Sequence, residues 1–283
     1  MSEIAHRIIV DLLEARTGQQ ITEDRRWRVA TALSGVFRRH GISCPDELVC
    51  LLAESASDDL ATEVVEALLN NETYFFRDRP MFDRIAAQVL PDLASRRAGT
   101  KRLNILSAGC STGQEAYSLA MLFLSRPHEW RGWTIDITGT DISQSAIEYA
   151  RRGTYTQFEV QRGLSAAETI GFFEETGKGW TAVPDLRSSV RFTKANLLDP
   201  VLRPHRYDLV LCRNVLLYFD AARRQVALDR IAERVARDGW VMLGAGEKPA
   251  GSDAALVGIP GSGGLFRPGD DSEPVRQARA ASR

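Results

Sequence analysis

Histidine and cysteine are scarce, with four of each among 283 residues, and the cysteines are scattered at Cys44, Cys50, Cys110 and Cys212 without a C-x-x-C pair. That spacing offers neither a zinc site nor a disulfide framework, so no metal is expected and a reducing cytoplasm is the default compartment. No hydrophobic run approaches the length of a membrane span, and the opening MSEIAHRIIVDLLEARTG carries acids and lacks the apolar stretch of a signal peptide. Charge of one sign is missing too. The formal net charge is -1 with 26% charged residues, so there is no global bias toward nucleic acid or a membrane surface, and any basic docking surface must be local. Nor is there nucleophile machinery: the chain has no G-x-S-x-G elbow and no histidine beside a candidate serine or cysteine.

What is present centres on residues 103–120, LNILSAGCSTGQEAYSLA, which read as a buried strand, a glycine turn and a helix that opens at once. Leu103, Ile105 and Leu106 suit a central parallel strand, while Gly109 and Gly113 permit backbone angles and close approach that a side chain forbids. From Gln114 the apolar positions Ala116, Leu119, Ala120 and Phe123 recur at helical spacing, which turns the first-turn N–H groups toward the crevice beyond the strand. Because Gly113 is followed by Gln114 and Glu115, the motif is neither a G-x-G-x-x-G fingerprint nor a Walker loop. An acid in that first turn repels phosphate and suits a ligand with an ammonium group, so S-adenosylmethionine fits better than NAD or ATP. Plain strand–helix packing is the competing explanation of the glycines.

Upstream the pattern is helical, with one candidate helix ending at Gly18 and a second, 22–41, ending at Gly41. In the second, Val29, Leu33, Val36 and Phe37 form one stripe and leave Arg25, Arg26, Arg28, Arg38 and Arg39 on exposed positions, either as a solvated face or as a basic surface. Cys44 and Cys50 fall in a third helix as small apolar side chains. A helix at 58–69 runs into NETYFFRDRPMFDRI, where Asn71, Glu72, Thr73 and Arg77 bracket the aromatic run Tyr74, Phe75 and Phe76. Such a polar-edged junction reads as a cover over a ligand rather than a plain linker. A helix follows from Pro80 to Leu90, and 95–101 is a basic loop.

Beyond the glycine turn, a strand at 133–140 ends at Asp141, and Ser143 caps a helix at 144–152. Asp141 either accepts hydrogen bonds from ribose hydroxyls or merely caps that helix. Strands at 190–194, 207–212 and 240–245, with a helix at 221–237 closed by Asp238 and Gly239, complete a three-layer α/β domain with right-handed crossovers. Two short strands ending near Leu265 and Phe266 follow. Asn196, Arg213, Asn214 and Tyr218 fall at strand ends, where ligands collect in such sheets. Methyl transfer is the chemistry that fits a polar edge with no base and no metal set, because a sulfonium methyl is already activated and needs only positioning and desolvation.

The runs NETYFFRD, AGCSTGQEAYSLA, GTDIS, NLLD and CRNVLLYFD occur in that order. On them the chain resembles the CheR-type chemotaxis receptor methyltransferases, from residue 22 to about residue 266. The resemblance implies a Rossmann-like S-adenosylmethionine-dependent methyltransferase fold of α/β class with a small all-α domain ahead of it. It implies a protein-glutamate O-methyltransferase that esterifies glutamates on the cytoplasmic methylation helices of chemoreceptors and releases S-adenosylhomocysteine. With Gly109 of the turn, Asn71, Thr73, Arg77, Glu115, Asp141, Asn196, Leu197, Arg213 and Asn214 would then line the methyl-donor site, and Tyr218 would stand near the transferred methyl. Family members dock a basic N-terminal face on acidic receptor helices, which makes Arg25, Arg28, Arg38 and Arg39 docking residues. Arg96 and Arg97 are candidates for a family arginine ahead of the first strand, but they lack a firm alignment and stay outside the site. Gln114, Ala116 and the run GAGEKPAG depart from the family pattern, the last in a place that bears on specificity.

The layout expected from these readings is a helical docking domain at 1–70 and a linker and helix contributing to the donor site at 71–102. A methyltransferase domain follows at 103–268, with a small β insertion at 174–190 where some members grip a receptor's C-terminal peptide, and then a disordered tail at 269–283. The protein is expected to work as a cytoplasmic monomer in bacterial chemosensory adaptation, with no nucleic-acid partner and no membrane insertion. Two alternatives stand beside this. One is a methyltransferase of a small carboxylic acid, for which the helical domain would matter only to stability. The other is a non-catalytic module that senses S-adenosylmethionine or its product, against which intact Tyr218, Arg213 and Asn214 argue.

Overall fold

Capping residues set the first elements. In a computed structural model that describes residues 2–54, 57–200, 206–249 and 255–269, helix α1 (Glu3–Thr17) opens on Ser2, whose Oγ accepts the Ala5 N–H at 3.1 Å, and closes on Gly18 at φ 75°. Helix α2 (Trp27–His40) ends in the same way on Gly41, and α3 (Pro45–Glu54) and α4 (Asp59–Leu68) follow. Ile9, Leu13, Val29, Leu33, Val36, Leu48, Val64 and Leu68 close a helical core, and Ile142 from the larger unit packs against it. Cys44, just ahead of α3, and Cys50, within it, are exposed, and Leu48 is the α3 residue turned fully inward.

The junction after α4 buries Phe75 and Phe76 and leaves Asn71, Thr73 and Arg77 half-buried. Helix α5 (Arg79–Arg84), a π-helical turn (Ile85–Val89) and α6 (Leu90–Arg96) carry the helical run past Leu90, its expected end. The widened turn accommodates Pro91, whose ring would clash with the preceding carbonyls in an unbroken α register.

The chain then alternates through β1 (Arg102–Ala108), α7 (Gln114–Leu124), β2 (Thr134–Asp141) and α8 (Gln144–Arg152). An excursion follows through β3 (Thr154–Tyr155), α9 (Gln157–Gln161), α10 (Ala166–Phe172), β4 (Phe173–Thr176), β5 (Gly179–Ala182) and α11 (Pro184–Ser188). The main sheet resumes with β6 (Val190–Lys194), β7 (Tyr207–Cys212), α12 (Ala221–Arg234), β8 (Val235–Leu243), β9 (Leu256–Gly258) and β10 (Leu265–Pro268). Its seven strands run in the order β6-β2-β1-β7-β8-β10-β9, parallel from β6 to β8 and antiparallel at the β8/β10 and β10/β9 pairings. The order reverses between β1 and β7, so the crevice at their carboxyl ends is the topological switch point where ligands bind. Leu103, Ile105 and Leu106 are buried, as a central strand covered on both faces requires.

Within 174–190, β4 and β5 belong to a separate antiparallel sheet of order β3-β5-β4 that begins at Thr154, and α11 starts at Pro184. One expectation needs correction. Helix α12 stops at Arg234 rather than Arg237, because buried Val235 pairs with Tyr207 and the next residues form a bulge opposite β7. Gly239 lies in that bulge, where a Cβ would come within 2.9 Å of the Asp208 carbonyl oxygen. The tail expected to be disordered from 269 falls, from 270 on, outside the described residues.

Arg97 is bound at the opposite end of the sheet from the crevice. Its Nε donates to Asp208 at 2.7 Å and its Nη atoms to Asp238 at 2.6 and 2.7 Å, while Asp208 also accepts the Asn104 N–H at 2.8 Å. Arg96 pairs with Asp92 at 3.0 Å. Arg97 therefore braces strand starts, Arg96 pairs within α6, and neither lines the cleft. Arg97→Ala strands the buried Asp208 carboxylate and is expected to cost about 3 kcal/mol, read as a lowered urea midpoint. An unchanged midpoint would contradict that assignment.

Candidate functional site

A cleft of about 880 Å³ opens at the switch point, and the donor-site residues named from the sequence all lie on its wall together with Tyr218. The glycine turn forms its floor. Gly109, at φ +74°, leaves no room for a side chain, since a Cβ would sit 2.2 Å from Val215 Cγ2, and at Gly113, at φ +96°, a Cβ would come 2.8 Å from Ala150 Cβ and 3.1 Å from the Phe192 ring. The Gly109 and Cys110 N–H groups donate to the Thr140 carbonyl at 2.7 and 2.9 Å, tying the turn to the end of β2.

Asp141 braces the loop ahead of α8 and keeps a place on the cleft wall. One carboxylate oxygen accepts the Ser143 N–H at 2.9 Å and the other the Ser111 N–H at 2.8 Å, and the side chain still borders the cleft. Burial pushes this acid above the ordinary aspartate range, partly offset by those N–H donors. Helix α8 takes its N-cap from Ser143, whose Oγ accepts the Ala146 N–H at 3.0 Å. Asn196 Oδ1 accepts the Leu198 N–H at 3.0 Å, which sets the turn that brings Asn196 and Leu197 to the rim.

At the other end of the cleft lies a buried cluster of charge. Glu115 accepts from Ser107 Oγ at 2.8 Å and from an Arg213 Nη at 3.2 Å. The second Nη of Arg213 donates to Asp78 at 2.6 Å and to the Arg77 carbonyl at 2.8 Å. The Arg213 side chain is 1% exposed, so it rivets the 71–78 junction to the sheet edge from inside. Desolvation holds the Glu115 carboxyl above its ordinary range, with Arg213 and Ser107 pulling it back. Two buried polar atoms here, Arg213 Nε and Asn214 Oδ1, have no hydrogen-bond partner in the protein, a donor and an acceptor left over where buried groups are normally satisfied.

Tyr218 ends a short 3-10 turn (Leu216–Tyr218). Its carbonyl accepts the Gln20 N–H at 2.8 Å, its hydroxyl accepts the Asn70 amide, and the Arg25 guanidinium lies over its ring at 5.5 Å. Glu247, from the atypical GAGEKPAG run, is buried and accepts N–H groups of Gly244 and Asn214 at 2.9 Å and Leu217 at 3.2 Å. That run fixes the loop bearing Asn214 and Tyr218.

The four arginines named for docking do not form one patch. Arg25 and Arg28 line a smaller cavity, about 390 Å³, that shares Gln19, Asn70 and Tyr218 with the main cleft. Arg38 and Arg39 are exposed at the far end of α2, and Arg39 pairs with Glu63, which also meets His40 at 2.6 Å. Of the residues that sequence reasoning did not place in the site, Gln19 and Glu247 reach it or its loops through packing between distant segments, whereas Ser111, inside the glycine turn, and Asn70, adjoining the NET run, had a local signal. Among the described residues no His, Cys, Asp and Glu group could hold a metal ion.

A family model described as CheR methyltransferase, SAM binding domain, matches residues 71–257. The chain is 33% identical over 252 residues to chemotaxis protein methyltransferase Cher2 of Pseudomonas putida, covering 88% of this chain and 89% of that protein. It is 35% identical over 239 residues to chemotaxis protein methyltransferase 1 of Pseudomonas aeruginosa, covering 83% and 86%. A chemotaxis protein methyltransferase of Vibrio parahaemolyticus is 31% identical over 254 residues, with 89% and 91% covered.

The groups around the cleft match the donor that such a domain binds: an anion for an ammonium at Glu115, guanidinium N–H for a carboxylate at Arg213, acceptors for ribose at Asp141, and a floor without side chains at Gly109. Gly109→Ala forces Val215 out of place and a non-glycine residue into positive φ. It is expected to cost about 2 kcal/mol and to abolish donor uptake by calorimetry; a variant that keeps both stability and uptake would contradict the close packing of this floor.

Proposed function

Because the chain belongs to the CheR methyltransferase family, we propose that it esterifies glutamate side chains on the cytoplasmic helices of chemoreceptors, and that Tyr218 and the cleft residues named above carry the reaction. The chain is an S-adenosylmethionine-dependent methyltransferase of chemotaxis, and S-adenosylmethionine is its methyl donor. The observation that carries the finer reading is that Tyr218 lines both the donor cleft and a second cavity that holds two arginines, with no histidine on the wall of either.

When bound, the donor supplies a methyl group already activated on sulfur. Glu115 and Arg213 would hold its amino-acid end, and Asp141 its ribose. The acceptor carboxylate is ionised at neutral pH, with an ordinary pKa of about 4.3, so no side chain has to remove a proton. The Tyr218 oxygen already accepts the Asn70 amide hydrogen, so its own O–H is the group left to donate to an acceptor oxygen. One neutral hydrogen bond orients the carboxylate without neutralising it, whereas a bidentate arginine pair would lower its nucleophilicity. Arg25 and Arg28 supply positive potential beside that oxygen and suit an acidic receptor surface. Among the described residues no helix is long and apolar enough to cross a membrane; on this reading the protein meets the receptor's cytoplasmic part as a monomer.

Incubation with methyl-labelled donor and a receptor cytoplasmic fragment is expected to place base-labile label on the fragment's glutamates and to lose it in glutamate-to-alanine controls. Label that persists in those controls would overturn the glutamate assignment. Tyr218→Phe is expected to lower kcat about 100-fold while donor affinity stays within about twofold; equal turnover would remove Tyr218 from the reaction.

The state of Glu115 adds a pH dependence. A carboxyl held above its ordinary range favours the fold in its protonated form, a contribution present at acid pH and lost as pH rises through the raised value. Binding an ammonium requires the ionised form. Donor affinity should therefore fall as pH drops from about 7 toward about 5, earlier than an ordinary glutamate would cause, and Glu115→Gln should flatten the profile. Calorimetry across that range checks it, and an equally steep profile in the variant would assign the dependence elsewhere.

A further inference from the structure

The loop at the end of β2 presents two residues, Asp141 and Ile142, to the donor cleft, yet much of what holds it comes from the helical unit. Ile142 packs against the helical core. The next residues enter the first turn of α8, and a side chain of α4 reaches across to them. One carboxylate oxygen of Glu66 accepts the Gln144 N–H at 2.7 Å; the other accepts the Ser143 hydroxyl at 2.6 Å, the Ser145 hydroxyl at 2.8 Å and the Ser145 N–H at 3.4 Å. Ser143 is the α8 cap, and its N–H is also the group that orients Asp141.

From this geometry we infer that Glu66 is a positioning residue for donor binding, acting from the helical unit through the Ser143–Ser145 turn to fix Asp141 and Ile142. The inference rests on the reading of the cleft as the donor site and adds to it a residue that never touches the donor. The physical reason is that α8 begins with free backbone N–H groups, and a carboxylate there both accepts them and meets the positive end of the helix dipole. A cap from the same segment would anchor only the helix. This one comes from a different folding unit and so fixes where the β2 loop stands relative to α4. Its charge also lies close enough to Asp141 to oppose ionisation of that acid, in the same direction as burial. Without Glu66, the Ser143 turn loses its hydrogen-bonded tie to α4, and of the N–H groups that hold the Asp141 carboxylate only that of Ser111, in the glycine turn, lies outside the β2 loop.

The test is calorimetric titration of S-adenosylhomocysteine into the full chain, its Glu66→Ala and Glu66→Gln variants, and Glu47→Ala. Glu47 is another carboxylate of the helical unit that accepts a backbone N–H, that of Ser43 at 2.7 Å, far from the cleft. Glu66→Ala is expected to raise the dissociation constant about fivefold or more, and Glu66→Gln, which preserves shape, by less. At saturating donor, kcat of Glu66→Gln on a receptor fragment should stay within about twofold of the parent while KM for the donor rises. Glu47→Ala should lower Tm without moving the dissociation constant. Dissociation constants of both Glu66 variants within about twofold of the parent, whatever their Tm, would overturn the inference and leave the cleft reading standing. A parent chain that takes up no S-adenosylhomocysteine would overturn both.

Discussion

The site depends first on one buried cation. Arg213 is the residue that follows β7, and its guanidinium bridges Glu115 at the start of α7 to Asp78 and the Arg77 carbonyl in the junction. Three segments distant in sequence thus meet on one charge that is almost wholly out of water. Removing one member of such a set costs about 3–5 kcal/mol because it leaves an unpaired charge behind. The same cluster also holds an acid, Glu115, whose ionisation is opposed by burial.

A second constraint closes the cleft from the other side. The C-terminal end of α1 lies so near the strand-end loops that a Cβ on Gly18 would stand 2.3 Å from Leu198 Cδ1. The Gln20 N–H holds the Tyr218 carbonyl, and Asn70 holds its hydroxyl. The helical unit is therefore part of the edge that carries Tyr218. This weighs against the small-carboxylate alternative, in which residues before Asn71 would matter only to stability. The arginines divide along the same line: Arg25 and Arg28 stand near Tyr218, whereas Arg38 and Arg39 face solvent at the other end of α2.

Much of this was legible in the sequence, for reasons that differ by residue. The strand–turn–helix at 103–120 is local chemistry: branched apolar side chains, glycines where φ is positive, and a helix opening without a linker. The switch point followed from the alternation of strands and helices, and with it the grouping of Gly109, Asp141, Asn196 and Arg213. What escaped was long-range. Nothing in the sequence near Glu66 or Gln19 says which loop it will meet, and Glu247 lay in a run notable only for departing from a pattern. The bulge in β8 was misread because Asp238 and Gly239 look like a helix stop; pairing between Val235 and Tyr207 overrides that local preference.

The account stands on the claim that the crevice between β1 and β7 is shaped for one ligand by groups from both the sheet and the helical unit. A crystal structure of the full chain with S-adenosylhomocysteine tests this most directly. The account predicts the amino-acid end beside Glu115 and Arg213, the ribose hydroxyls at Asp141 and the sulfur facing Tyr218. Density for the ligand elsewhere, or with its sulfur turned away from Tyr218, would contradict it.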